Sequence, residues 1–138
     1  MVNYKTDVEG NNAVIKGALV ETITADKTLS LDDSGTIFLV GTDALTITLP
    51  ATNKGTIFTF VNSGADGANI ITISPNANDG IIGTIANSAA DSVASGVADK
   101  DLVNTKATAN KGDRVTLVGD GVDGWYIVDG VGIWASEG

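Results

Sequence analysis

From Leu45 to Pro50 the chain alternates leucine or isoleucine with threonine, and this period of two fixes the local structure. Successive side chains of a β-strand point to opposite faces, so Leu45, Ile47 and Leu49 share one face and Thr46 and Thr48 the other. The pattern suits a sheet with one covered face and one wet face. Pro50, without an N–H for the ladder, ends the run. Comparable β-rich runs recur at 18–24, 28–31, 36–40, 56–61, 69–74, 113–118, 125–128 and 131–135, parted by turns rich in Gly, Asp and Asn. About eight to ten strands at this short spacing imply an all-β chain, an antiparallel β-sandwich of jelly-roll or barrel-like form. In the run at 56–61, Phe58 and Phe60 take one face while Ile57, Thr59 and Val61 take the other. Both faces are apolar, which predicts a central strand. The turn at 119–124 predicts a hairpin between its two flanking runs.

Two stretches depart from this rhythm. Residues 1–17 carry scattered apolar positions among polar ones and read as an extended N-terminal arm, with a short strand expected at 13–16. Tyr4, Val8, Val14 and Ile15 are spaced along the arm like anchors on an extended strand, the form in which a segment adds to a partner's sheet edge. The remaining 18–138 read as one β-sandwich domain with a long excursion at 80–111. A long excursion inside a small domain commonly makes contacts, and Ile81, Ile82, Val93 and Val97 are its candidate partner-binding groups. Ser88 and Asp91, with Val93 and Val97 four apart, suggest a single helical turn, and helix is expected in this region alone. Trp125 reads as a core residue, whereas Trp134, near the end of the sequence, reads as an interface anchor.

Composition narrows the chemistry. The 138 residues include neither histidine nor cysteine, which removes the commonest general base, the commonest metal ligands and any disulfide. The formal net charge of −9, from 17 acidic and 8 basic residues, opposes binding to nucleic acid or to anionic membranes. Lys100, Lys106, Lys111 and Arg114 form a slightly basic stretch that Asp99, Asp101 and Asp113 offset. No basic and apolar leader and no apolar run of membrane-spanning length is present, so cytoplasmic synthesis is expected.

No serine-nucleophile motif occurs in the sequence. Asp99 and Asp101 could pair as the acid and base of a glycosidase, but they fall in a polar loop with nothing to poise them. The Asp-Gly turns at 66–67 and 120–124 resemble oxygen-rich calcium turns but lack the full twelve-residue loop, and Asp-Gly is also the ordinary chemistry of a tight turn. Neither catalysis nor a cofactor or metal is expected.

The segments 22–26, 33–40, 45–50, 55–60 and 71–73 read TITAD, DSGTIFLV, LTITLP, GTIFTF and ITI, and 112–118 and 123–128 read GDRVTLV and DGWYIV. This order of an Asp-Ser-Gly turn, a buried strand, a Thr-rich strand closed by Leu-Pro, a glycine and an aromatic strand resembles the head decoration proteins of tailed phages. Similar modules occur in phage tail fibre proteins. The likeness covers about 20–75 and 112–135, and it is one of strands and turns, with no catalytic motif to carry over. It implies a structural virion protein on the outer surface of a bacteriophage capsid, bound to the major capsid protein and stabilising the shell. It further implies a homo-oligomer, a trimer by preference, made in the host bacterial cytoplasm. The alternative is a receptor- or glycan-binding module of a tail fibre, which needs exposed aromatic residues.

Overall fold

The computed structural model describes residues 4–6, 12–14, 19–87 and 91–137, which form fourteen strands and two 3-10 turns. The strands are β1 (Tyr4–Thr6), β2 (Asn12–Val14), β3 (Leu19–Ile23), β4 (Lys27–Thr28), β5 (Thr36–Val40), β6 (Leu45–Thr48) and β7 (Ile57–Asn62). They continue as β8 (Ile71–Ser74), β9 (Gly80–Ile85), β10 (Ser92–Ser95), β11 (Leu102–Asn104), β12 (Arg114–Gly119), β13 (Gly124–Val131) and β14 (Trp134–Ser136). A seven-stranded sheet, β10-β9-β13-β12-β7-β5-β3, packs on a five-stranded sheet, β14-β11-β8-β6-β4. The protein is an all-β sandwich, and β7 is central as its two apolar faces predict.

Strand direction differs from the antiparallel expectation. From β3 to β8 the chain crosses between sheets at every connection, placing β3, β5 and β7 in one and β4, β6 and β8 in the other. Neighbours in this stretch pair in parallel: β3 with β5, β5 with β7, β4 with β6 and β6 with β8. The result is three stacked coils. The physical reason lies in the turns, which carry the chain around the side of the sandwich instead of back along one sheet. The next strand of the same sheet therefore arrives one coil later, running the same way.

Loop aspartates tie the coils together. Asp26 of the first coil accepts the Thr46 N–H of the second at 2.9 Å, and Asp43 of the second accepts the Ile70 N–H of the third at 2.9 Å. Beyond the coils, β12 pairs antiparallel with both β7 and β13, and β11 antiparallel with β8 and β14, so each sheet is mixed.

The core lies between the sheets. Phe38, Phe58, Phe60, Val115, Leu117 and Trp125 point in from one side, and Leu45, Ile47, Ile71, Ile73 and Leu102 from the other. Phe38 stacks on Phe60 at 5.6 Å between centroids, and Phe58 meets Trp125 at 5.4 Å. Each large apolar side chain so buried contributes about 1.5–3 kcal/mol.

The excursion at 80–111 is built from strands. It supplies β9, β10 and β11, with a 3-10 turn at Lys106–Thr108. The helical turn expected across Val93 and Val97 does not form among the described residues. In β10 Val93 is exposed while Ala94 is buried, a period of two where the sequence reading used a spacing of four. Ser88 lies outside the described residues. The second 3-10 turn, Leu31–Asp33, falls outside the excursion, where Asp33 accepts the Ser30 N–H at 2.9 Å.

Candidate interaction surface

A two-layer sandwich covers one face of each sheet, and the two outer faces of this one differ in chemistry. On the seven-stranded sheet, registered pairs lay Ile82 beside Tyr126, Tyr126 beside Val118 and Val118 beside Ile57. The next row runs Thr116, Thr59, Ile37 and Val20, and a third runs Val131, Arg114, Val61, Leu39 and Thr22. A bulge in β13 between the partners of Thr116 and Leu117 adds Val128. Several of these apolar groups stand well into solvent: Val128 is 58% exposed, Val20 56%, Tyr126 42% and Ile57 37%.

The outer face of the five-stranded sheet is made mostly of small and hydroxyl-bearing groups instead, with Val103 among them. Thr46, Thr72, Val103 and Ala135 form one row, and Thr28, Thr48 and Ser74 another.

Charges avoid the apolar face. Arg114 and Asp129 are its ionisable pair, and Arg114 Nε donates to Asp129 Oδ2 at 2.9 Å. At its centre the Thr59 and Thr116 hydroxyls bond one another at 2.9 Å. Its central threonine side chains thus bond each other before anything covers them. At the far edge Glu21 of β3 and Lys27 of β4 form an ion pair across the two sheets, and the hydrogen bond to Glu21 holds the ammonium above its ordinary range. Charges set at a sheet's edge discourage unwanted strand addition.

A buried polar cluster marks where the coil stack stops. The register position occupied by Ile23 and Val40 in the first two coils holds Asn62 in the third, and that of Leu45 and Ile71 holds Asn104 in β11. Asn62 Nδ2 donates to Asn104 Oδ1 at 2.8 Å. Asn104 Nδ2 in turn donates to Asp113 Oδ2 at 3.0 Å and to the Ile133 carbonyl at 3.1 Å. Asp113 also accepts the Asn110 N–H at 2.9 Å. Each of these side chains is engaged across the sheets, an arrangement that fixes register.

The loops hold their acids in the same way. One Asp120 oxygen accepts the N–H groups of Val122, Asp123 and Gly124 at 2.8–2.9 Å, and the Gly124 bond leads in holding that carboxyl below its ordinary value. This Asp-Gly turn is an N–H nest around a carboxylate. Asp66 accepts the Lys111 N–H at 2.8 Å. Asp99 sits exposed in a left-handed turn with φ of 62°, and Asp101 precedes β11. The basic stretch is dispersed, since Lys106 pairs with Asp43 and Arg114 with Asp129. Among the described residues no three His, Cys, Asp or Glu side chains converge as a metal-ion group. No helix among the described residues is long and apolar enough to cross a membrane.

The sequence-derived contact residues scatter. Ile82 lies on the apolar outer face, and Val93 and Val97 are exposed on and just after the edge strand β10. Ile81, 3% exposed, belongs to the core. Trp134 does too, at 2%, with its indole N–H donating to the Val131 carbonyl at 3.1 Å, so it is no surface anchor. Of the arm residues, Val8 and Ile15 lie outside the described residues. The backbones of Tyr4 and Val14 are registered partners in the β1–β2 ladder. The strand expected at 13–16 overlaps β2, and residues 15 and 16 lie outside the described residues.

Sequence reasoning missed the apolar outer face, although its signal was present. Runs such as 36–40 and 115–118 are apolar at nearly every position, and in a sandwich the second apolar face has no layer to cover it. No family model matches the chain, and no curated protein matches it either.

Proposed function

We propose that the chain is a non-enzymatic structural protein that decorates and stabilises the outer surface of a bacteriophage capsid, binding the major capsid protein as a homo-oligomer, a trimer by preference. The observation that carries this reading is the contrast between the two outer faces. An apolar sheet face whose charges are one neutralised ion pair, on a strongly acidic chain, is a surface made to be covered, the mark of an assembly subunit. The sequence likeness to decoration proteins supplies the kind of assembly. Carboxylates engaged in turns and inter-sheet bonds suit a part whose work is mechanical.

The tail-fibre reading has less support. Glycan recognition draws on exposed aromatic rings, and the Trp134 ring is in the core, leaving Tyr126 as the exposed ring among the described side chains. Cryo-EM of virions that incorporate the chain tests the proposal. Density for this sandwich is expected on the outer lattice of the head. Density confined to the tail, or a chain absent from washed virions, would overturn it.

A further inference from the structure

We propose that the outer face of the seven-stranded sheet is the surface at which copies of this chain pack on one another. The inference deepens the assembly-subunit reading and rests on it, and it commits the face to one occupant, a second copy.

Charge selects that occupant. Two chains of net charge −9 repel, so a contact between copies is favoured where the acids are missing. The loops carry acids all round the sandwich: Asp26, Asp32, Asp43, Asp66, Asp99 and Asp123 lie between strands. Among the described residues the charges of the apolar face are the mutually neutralised Arg114–Asp129 pair. A partner with a basic surface would be drawn to the acidic loops instead, whereas a second acidic copy meets least repulsion here.

Polar satisfaction argues the same way. Covering a sheet face strands any hydroxyl or charge that had relied on water, at a cost for each. On this face the Thr59–Thr116 and Arg114–Asp129 pairs already bond internally, which lowers the cost of covering them without removing it. The protruding Tyr126 and Val128 supply the apolar relief that a packed interface needs.

The test adds one identical charge to either outer face. Tyr126→Glu and Val128→Glu alter exposed positions on the seven-stranded sheet, and Ala135→Glu an exposed position on the five-stranded sheet. Light scattering and sedimentation velocity then report assembly, and far-UV circular dichroism reports folding. The wild type is expected to assemble, and more tightly as salt rises from ~20 to ~500 mM, because salt screens the repulsion between acidic copies. Folded Tyr126→Glu or Val128→Glu protein should associate at least about tenfold more weakly, while Ala135→Glu behaves as wild type. A wild type that stays monomeric up to about 100 µM overturns the proposal, as does equal weakening by all three variants. Pull-down on undecorated capsids separates the two readings. Wild type that binds capsids as a monomer overturns this inference and leaves the decoration reading standing. Wild type that assembles through this face yet never binds a capsid does the reverse.

Discussion

Asn62 and Asn104, 42 residues apart in sequence, bond side chain to side chain in the interior and join the last coil of the parallel stack to the antiparallel strands that follow. Each stands where earlier coils place an aliphatic residue, so a hydrophobic stripe gives way to a polar one at the change of strand direction.

Asn104→Leu should therefore cost about 3 kcal/mol, since it deprives Asn62, Asp113 and the Ile133 carbonyl of a partner at once. Asn62→Leu should cost about 2 kcal/mol, because Gly64 N–H and Asn69 also lose an acceptor. The double variant should cost less than the sum by about 1 kcal/mol. Urea denaturation of the four proteins measures this coupling, and strict additivity would refute a shared network.

Glycine matters at the loop end for reasons of space. A Cβ on Gly124 would lie 2.0 Å from the Gly80 carbonyl oxygen, whereas one on Gly35 would meet nothing within 4 Å. Both have positive φ, 142° and 87°. Gly124→Ala should cost about 3 kcal/mol, because backbone atoms cannot yield as a flexible side chain does. Gly35→Ala should cost only the left-handed strain of about 1 kcal/mol. Thermal melts of the two variants should differ accordingly.

The two tryptophans are both buried but bonded differently. Trp134 donates to the Val131 carbonyl, while the Trp125 Nε1–H has no acceptor among the described residues. Trp125→Phe should be the milder substitution by about 1 kcal/mol, the net contribution of one hydrogen bond. Equal losses on chemical denaturation would show that the Trp125 N–H is satisfied after all.

Acid should loosen the loops through Asp43 and Asp120. The Lys106 hydrogen bond holds Asp43 below the ordinary carboxyl value of 3.8, and the Gly124 N–H leads in doing the same for Asp120. A depressed folded-state pKa stabilises above the unfolded value, and the stability is lost as pH falls through the folded one. The melting temperature should hold from about pH 7 to pH 5 and drop below about pH 4. Asp120→Asn should melt below wild type at neutral pH, with the gap closing in acid. A pH-independent gap would assign the effect to shape instead of charge.

Much of the fold was legible because period two speaks directly of burial. Leu45, Ile47 and Leu49 are buried and Thr46 and Thr48 half-buried, as their alternation demands. Direction was not legible. The alternation that sets Leu45 inward is the same whether its neighbour runs parallel or antiparallel, and turns that cross between sheets use the same Gly and Asp as hairpins. Trp134 was misplaced because nearness to the end of the sequence stood in for exposure, while pairing of β14 with β11 draws it inward. Of the surface, the sequence revealed Ile82 but not Ile37, Leu39 or Val118. An apolar run shows that both faces of a strand are greasy, and only the layer count shows that one is bare.

The winding of the coils also sets an order of birth. Each strand of the second and third coils finds its neighbour one coil earlier, so the three coils can assemble while the chain is still emerging from the ribosome. The outer edges of the last coil stay open for longer, because there β7 waits for β12 and β8 for β11. Until residues 102–119 have been made, both strands present bare edges, which invite pairing with a neighbouring nascent chain. The interval between translation of Ser74 and of Gly119 is when this protein is most exposed to misassembly.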